Sequence, residues 1–462
     1  MKENSCLSNE FQLFLGHNIK DYKNFKCKAA ILPNFGGCLV AKQSVKEGEE
    51  LLRIPETLFI TLSVAINKLP ILREVKSNLN VQKKSILAFF LYKERNDSSS
   101  FYNCYLNSIP KLYSNTITWQ ESQFNLLRDE LKSKHQKKQR KLLSEFEVIK
   151  NYISSNKDYS HIFEGINEAQ FLQLAAMIES RTLFFKNEQD STSEVGAMIP
   201  FYDLANHTFM EGTDHFKYFY FDQISKEYVM RAYKNFIEDE QIFITYGNYN
   251  NEHFLDYYGF IPFSNQREAL QFTIQSDELP KILGKDFTKR LRENSLIGQQ
   301  ILNHFYVGQN LKPNIIIEVE EASQSFSWET ITFLQVFSLD LNINSLIPSS
   351  ESSKQKAYKP DNKSQKQAVK SAPQKSELAA PQKSELAAIL EAFNSNQIEN
   401  QSYFNNQRYQ QYAQNIKQYL QSLYKEIKFS EKSININQNQ FTTLLAIEFT
   451  QKEIKIVDSC KF

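Results

Sequence analysis

The apolar periodicity of this chain changes twice, and those changes limit the folds open to it. Between residues 119 and 185 apolar side chains recur at helical spacing. Phe124, Leu127 and Leu131 form one set, and Phe171, Leu174, Ile178 and Phe185 share a face in another. Over 196–260 the period shortens to two. Ile242, Ile244 and Tyr246 alternate with Phe243 and Thr245 as in a strand, and 218–221 and 228–232 flank the turn 222–227 as a hairpin. After residue 265 the chain reads as helical again, with Tyr409, Tyr412, Ile416, Tyr419, Leu423 and Ile427 at helical intervals.

Shorter segments fill in this outline. Leu39-Val40 and Leu51-Leu52-Arg53-Ile54 read as two short strands around Lys46-Glu47-Gly48-Glu49, the second stopped by Pro55. Residues 85–95 read as a buried helix with a basic end. The run KSKHQKKQRK (132–141) holds six Lys/Arg in ten residues. It reads as a solvated helix face with acidic flanks, or as a nuclear-localisation or nucleic-acid patch. At the end of a polar tract at 347–385, APQKSELA occurs twice in tandem, at 372–379 and 380–387. A duplication with Pro in each copy builds no packed core and reads as a flexible insertion.

Composition excludes several roles. With 54 Lys+Arg against 53 Asp+Glu, the formal charge is +1, too little for a general nucleic-acid coat. No run approaches the roughly 18 consecutive apolar residues of a membrane span. The start, MKENSCLSNEFQLFLGHN, has no uninterrupted apolar stretch of signal-peptide type. The expectation is a soluble intracellular monomer, cytoplasmic and/or nuclear, with no membrane or direct nucleic-acid partner. Cys6, Cys27, Cys38, Cys104 and Cys460 form no C-x-x-C pair, so they read as reduced thiols rather than a zinc set. His207 and His215 near Asp203 and Asp214 invite a metal reading, but no third soft ligand lies near, and no metal is expected.

Four clusters remain: NFGGCLVAKQSVKEGEELLRIP (34–55), ESRTLFF (179–185), MIPFYDLANHTF (198–209) and ITYGNYNNEHFLDYYGF (244–260). Each has a plain structural reading alone. Gly36-Gly37 is a turn, Arg181 a cation at a helix C-terminus, Asn206-His207 a cap or turn, and the tyrosines core.

In this order and combination they resemble the SET-domain methyltransferases. More narrowly, they resemble the branch of Rubisco large-subunit methyltransferase and actin-histidine methyltransferase. D-x-x-N-H with a downstream Y-G and Y-G-F carries the likeness, which spans about 25–265 and continues weakly to AIEFTQKEI (446–454). The resemblance implies an α+β chain with a helical segment at 1–24 and a SET β-fold at 25–265. A helical insertion at about 111–175 interrupts that fold. An all-α substrate-binding domain at 266–458 would follow and contain the tract 347–385. The SET fold threads its C-terminal segment under an earlier loop, an exception to unknotted connection.

The same resemblance implies S-adenosyl-L-methionine as cofactor and a protein lysine, on a histone or non-histone substrate, as methyl acceptor. Glu49 and Leu51 would contact the cofactor by backbone. Asn206 and His207 would hold its amino-acid end and adenine, Arg181 its carboxylate, and Phe260 would pack on the adenine. Tyr246 would be the catalytic tyrosine and Tyr258 a wall of the amine channel. Asp203, Tyr202 and Leu183 would face the substrate. An apolar Leu183 cannot hydrogen-bond an imidazole, which favours lysine over histidine. Protein-histidine methylation and a catalytically weak protein-binding module are the alternatives. The pattern G-x-G-L stands here as Gly36-Gly37-Cys38-Leu39. A left-handed backbone at Cys38 would cost on the order of 1 kcal/mol or more.

Overall fold

The computed structural model describes residues 9–287 apart from 33–34, 188–189, 211, 266–267 and 276–277, together with 289, 314–320, 325–326, 407–425 and 438–460. The tract 347–385 and its duplication lie outside the described residues. The chain divides into two compact units. The first comprises Met1–Glu268 with Ile427–Gln451, and the second comprises Ala269–Glu426 with Lys452–Phe462.

Among the described residues, three small sheets shape the first unit. Strands β1 (Cys27–Leu32) and β2 (Gly36–Ala41) pair antiparallel, with Ala29 opposite Leu39. β3 (Glu50–Pro55) does not pair with β2. It joins the later hairpin β8 (Phe219–Asp222) and β9 (Glu227–Arg231) in the order β3-β9-β8. The two strands read around Gly48 are therefore real but belong to different sheets. β4 (Ile60–Thr61), β5 (Thr182–Asn187) and β6 (Asp190–Met198) form a third sheet in the order β4-β6-β5. β7 (Asn206–His207) and β10 (Gln241–Ile244) complete the first sheet, ordered β1-β2-β10-β7. β10 runs antiparallel to β2 and parallel to β7, setting Phe243 opposite Asn206 and Ile244 opposite His207.

Between β4 and β5 the described chain is helical, from Leu62–Lys68 to Glu168–Arg181. The helical block is thus longer than 111–175. Its longest member, Asp129–Ser154, opens on two acidic residues that suit a helix N-terminus. It buries Leu131, His135, Leu142, Phe146, Ile149 and Ile153 at helical spacing. The helix Glu168–Arg181 starts in a capping box of Asn167 and Gln170. It stops at Arg181, before the 185 suggested by its apolar face. The Thr182 hydroxyl donates to the Ile178 carbonyl, and Thr182-Leu183-Phe184-Phe185 are residue types that favour a strand. Leu445, Ala446 and Phe449, on the helix Gln438–Ser459, pack with Trp119, Phe124 and Leu255 in a satellite core of this unit.

The second unit departs from the expected all-helical domain. It contains β11 (Ala269–Gln275), β12 (Asn314–Glu320) and β13 (Ser325–Phe326) in antiparallel order. Leu270, Phe272 and Ile274 alternate along β11 and are buried, so a period of two was present inside a stretch read as helical. The helix Gln407–Ser422 buries the expected Tyr409, Tyr412 and Ile416, but its buried face then runs to Leu420 and on to Tyr424 rather than to Tyr419 and Leu423.

Candidate active site

Arg181 ends its helix in the interior of the first unit. Its Nε donates to the Tyr113 hydroxyl at 2.8 Å, and its Nη1 donates to the Asp203 carbonyl at 3.0 Å and to Asp203 Oδ2 at 3.1 Å. Tyr105 donates its hydroxyl to the same Oδ2. The Asp203 side chain is only 4% exposed, and burial pushes its carboxyl above the ordinary range. Its Oδ1 is buried with no hydrogen-bond partner among the described residues. Arg181 and Asp203 are therefore held mainly by each other and by two tyrosines of the helical block. The expected role of Arg181 on a cofactor carboxylate meets a guanidinium already committed to protein partners.

The turn carrying Asp203 is strained. Phe201 has φ 75° and ψ −47°, uncommon for a residue with a Cβ, and its ring is buried against Tyr22 and Phe25. Such a conformation costs on the order of 1–3 kcal/mol and persists where packing dictates it. It leads into the 3-10 turn Tyr202–Leu204 and then into β7.

At β7 two groups of site residues meet. The amide of Asn206 reaches the carbonyls of Phe35 and Gly37, at 3.4 and 3.3 Å. His207 Nδ1 accepts the backbone N–H of Tyr246 at 3.0 Å, across 39 residues of sequence. That bond places the ring proton on Nε2, which is buried without a partner among the described residues. Burial pushes the His207 pKa down to about 4, so the ring is neutral at neutral pH. Phe260 and Phe254 pack near the same imidazole, with centroids 6.3 and 4.6 Å away.

Tyr246 donates its hydroxyl to the Ala205 carbonyl at 2.9 Å and stacks on Tyr258, centroids 4.6 Å apart. Burial raises its pKa to about 12, and that of Tyr258 goes up as well. A cavity of about 990 Å³ opens here, lined by Arg181, Leu183, Tyr202, Asp203, Tyr246 and Tyr258 among others. Its remaining wall is largely aromatic, with Phe185, Phe221, Tyr228, Tyr249 and Tyr257. Ala205 lines it and Asn206 does not, as alternation along an extended chain requires.

Two expected residues fall elsewhere. Leu51 is buried on β3, and its carbonyl accepts the Lys26 N–H. Glu49 clasps a turn, pairing with Lys26 at 2.8 Å and accepting the Lys46 N–H, while its carbonyl takes the Ala232 N–H. Both sit with the β3-β9-β8 sheet, whereas Asn206 belongs to the β1-β2-β10-β7 sheet. The residues that face Asn206 are Phe35 and Gly37, at the head of β2. Gly36 has φ 66°, and a Cβ built on Gly36 or Gly37 would meet nothing within 4 Å. Left-handed backbone thus falls on a glycine. Cys38 has no positive φ, is buried in β2 and directs its thiol to the Ala30 carbonyl, so the feared strain is absent.

No family model matches the chain. In sequence it is similar to mouse (Mus musculus) SET domain-containing protein 4, 23% identical over 264 residues, 55% of this chain and 58% of that protein. It is also similar to the tobacco (Nicotiana tabacum) chloroplastic ribulose-1,5 bisphosphate carboxylase/oxygenase large subunit N-methyltransferase, 24% identical over 300 residues, 63% of this chain and 58% of that protein. Dog (Canis lupus familiaris) actin-histidine N-methyltransferase is 24% identical over 251 residues, 52% of this chain and 41% of that protein. The chain thus spans 58% of the first two relatives' length and 41% of the third's. In structure it matches the SET domain of LSMT bound to lysine and AdoHcy, with a TM-score of 0.61 at 14% identity, over 98% of this chain and 92% of that one. A second match, Rubisco LSMT bound to AdoMet, has a TM-score of 0.58 at 14% identity, over 99% of this chain and 95% of that one. The fold is that of a SET domain with the architecture of LSMT.

Proposed function

We propose that this chain is an S-adenosylmethionine-dependent protein methyltransferase and that its acceptor is a lysine side chain. The observation that carries the reading is the position of Tyr246. Its backbone is bonded to His207, beside the glycine shelf of β2, and its ring walls the aromatic cavity. One residue so joins a place for a cofactor to a place for a side chain.

The residues at β7 and β2 suit the cofactor. Bare backbone at Gly36 and Gly37 leaves open space beside the Asn206 amide, and His207 Nε2 offers a buried donor without a partner. When bound, S-adenosylmethionine supplies a methyl group on a sulfonium cation. Asn206 and the Phe35–Gly37 carbonyls suit its amino-acid end, and Phe260 beside His207 suits a flat base. What the protein adds is orientation. Tyr246 keeps its proton at neutral pH and spends it on Ala205, leaving its oxygen lone pairs to accept from an amine N–H. Tyr258 and its aromatic neighbours attract an alkylammonium chain by cation–π contact and exclude water. Leu183 and Tyr202 in the wall give an imidazole ring nitrogen no amide partner, which favours lysine over histidine.

The test is methyl transfer from labelled S-adenosylmethionine to proteins of a whole-cell extract, with the modified residue located by mass spectrometry. Label on a lysine ε-nitrogen supports the reading. Label on an imidazole overturns the lysine assignment, and no transfer at all overturns the enzyme assignment.

A further inference from the structure

The basic run 132–141 reads from sequence as a solvated helix face, and Lys134 keeps that character at 61% exposed. Lys138, one helical turn on, does not. Its ammonium lies 3.0 Å from Glu179 Oε2, 3.0 Å from Asp256 Oδ2 and 4.2 Å from the centroid of the Tyr257 ring. Both carboxylates are buried, 4% and 7% exposed. Burial works against the Lys138 charge, but Asp256 and Glu179 outweigh it and hold its pKa above the usual lysine range.

The two carboxylates stand at the roots of the proposed site. Glu179 precedes Arg181 by two residues on the helix Glu168–Arg181, and Asp256 precedes Tyr258 by two on the π-helical turn Phe254–Tyr258. That turn ends at Gly259, whose left-handed backbone is pressed against Ser114 and Asn115. A one-turn π-helix closed in this way has little internal hydrogen bonding to define it and depends on outside contacts. Asp256 supplies most of them, beside the Asn115 amide that donates to the Tyr257 carbonyl. Thr116 and His135 bond Asp256 Oδ1, and Lys138 takes its Oδ2. Lys138 also caps a ring column, in which Tyr249 stacks on His253 at 3.7 Å and His253 on Tyr257 at 4.4 Å. Tyr249, His253, Tyr257 and Tyr258 all line the cavity.

We infer that Lys138 is a positioning residue for the reaction proposed above. Its ammonium ties the turn that carries Tyr257 and Tyr258 to the helix end that carries Arg181, and so fixes the aromatic wall against Tyr246. The inference rests on the methyltransferase reading but not on the identity of the substrate. Without Lys138, Asp256 loses its one lysine partner among the described residues, while Glu179 keeps Lys84. Thr116, His135 and Asn115 still hold the turn, but its tie to the helix end is lost, which loosens the turn and the Tyr258 ring with it. The glycine shelf and Asn206 touch none of these groups, so the contacts proposed for the cofactor's amino-acid end stay intact, whereas Phe260 packs on Phe254 and Tyr258 of the same turn.

The experiment compares full-length wild type, Lys138→Met and Lys138→Arg. Methyl incorporation into whole-cell extract is measured well below each protein's own melting temperature, alongside calorimetric titration with S-adenosylmethionine and hydrogen exchange of residues 254–259. Lys138→Met is expected to lose at least tenfold in methyl incorporation, more than it loses in cofactor affinity, and to exchange faster at 254–259 but not in β1 and β2. Lys138→Arg restores part of the rate. Wild-type incorporation by Lys138→Met, or exchange at 254–259 unchanged from wild type, overturns the inference. Should Lys138→Met fail to fold, Lys138→Met/Asp256→Asn removes both charges. That pair should fold, exchange fast at 254–259 and remain slow, and a wild-type rate from it counts against the inference. Inactivity of the wild type itself overturns the enzyme reading, and the exchange arm still decides the role of Lys138.

Discussion

Replacing Arg181 by Met tests whether the Arg181–Asp203 pair organises the site. Three hydrogen bonds are lost, those from Nε to Tyr113 and from Nη1 to the carbonyl and Oδ2 of Asp203. The methionine fills most of the same volume, so cavity terms are small. What remains is a carboxylate 4% exposed, with one oxygen already lacking a partner and Tyr105 as the remaining donor to the other. Removing one partner of a buried ion pair typically costs about 3–5 kcal/mol, because the other charge stays buried and uncompensated. Urea unfolding followed by circular dichroism should show Arg181→Met destabilised by about 3 kcal/mol or more. Asp203→Asn, which strands the cation instead, should also destabilise. The double variant should be milder than the sum of the two by at least about 1 kcal/mol, since it removes both charges. A loss below about 1 kcal/mol for Arg181→Met, or strict additivity in the double variant, would refute the anchoring role and return Arg181 to the cofactor carboxylate.

Tyr246→Phe removes a hydroxyl that donates to Ala205 at 2.9 Å. Methyl incorporation should drop about a hundredfold, the usual scale for losing one oriented polar group at a reacting centre. Stability should change by only about 1 kcal/mol in urea, and undiminished activity would remove the tyrosine from the mechanism. Gly259→Ala places a Cβ 2.7 Å from backbone atoms of Ser114 and Asn115 at φ 73°, whereas Gly48→Ala, at φ 82°, meets nothing within 4 Å. The first should therefore cost clearly more than the ~1 kcal/mol expected from left-handed backbone alone at the second, and equal losses would contradict the packing. His207 has a folded pKa of about 4, below the ordinary histidine value near 6.5, so the unfolded chain binds the extra proton between these values. Stability is then lost as pH falls from about 6.5 towards 4. The fall in urea midpoint between pH 7 and pH 5 should be shallower in His207→Gln, and an unchanged slope would count against a buried neutral imidazole.

What the sequence displayed clearly were features carried by short-range pattern. The alternation through Ile242–Ile244 is β10, the hairpin is β8–β9, and the helical stretches read at 119–153 and 409–427 contain the helices Asp129–Ser154 and Gln407–Ser422, although Phe124 and Leu127 fall before the first of these. D-x-x-N-H and Y-G marked residues that the fold brings together at β7 and β10, because adjacent strands need no continuity in sequence. Pairing partners were not legible in the same way. Glu49 and Leu51 sit on a sound strand, but nothing local says that β3 joins β9 rather than β2, and this separates them from Asn206. Phe35 and Gly37 carry no chemical side chain that would single them out, since their contribution is carbonyl oxygen and open space. Tyr105, Tyr113 and Lys138 are ordinary residues of a helical block, two of 23 tyrosines and one of a run of lysines. Their importance lies in which buried charge each one reaches. Arg181 shows the converse. Its position was visible as a helix end, whereas its commitment to Asp203 depends on a strained turn at Phe201 that no residue type announces. In β11 the period of two was legible, and the helical character of its surroundings masked it.

The most direct test of the central claim is a calorimetric titration of the full-length chain with S-adenosylmethionine, repeated on Asn206→Ala. One-site binding that Asn206→Ala weakens by tenfold or more is the predicted result, from the loss of about 1.5–3 kcal/mol of hydrogen bonding to a charged group. Absence of binding by the wild type, or equal affinity in Asn206→Ala, would contradict the account.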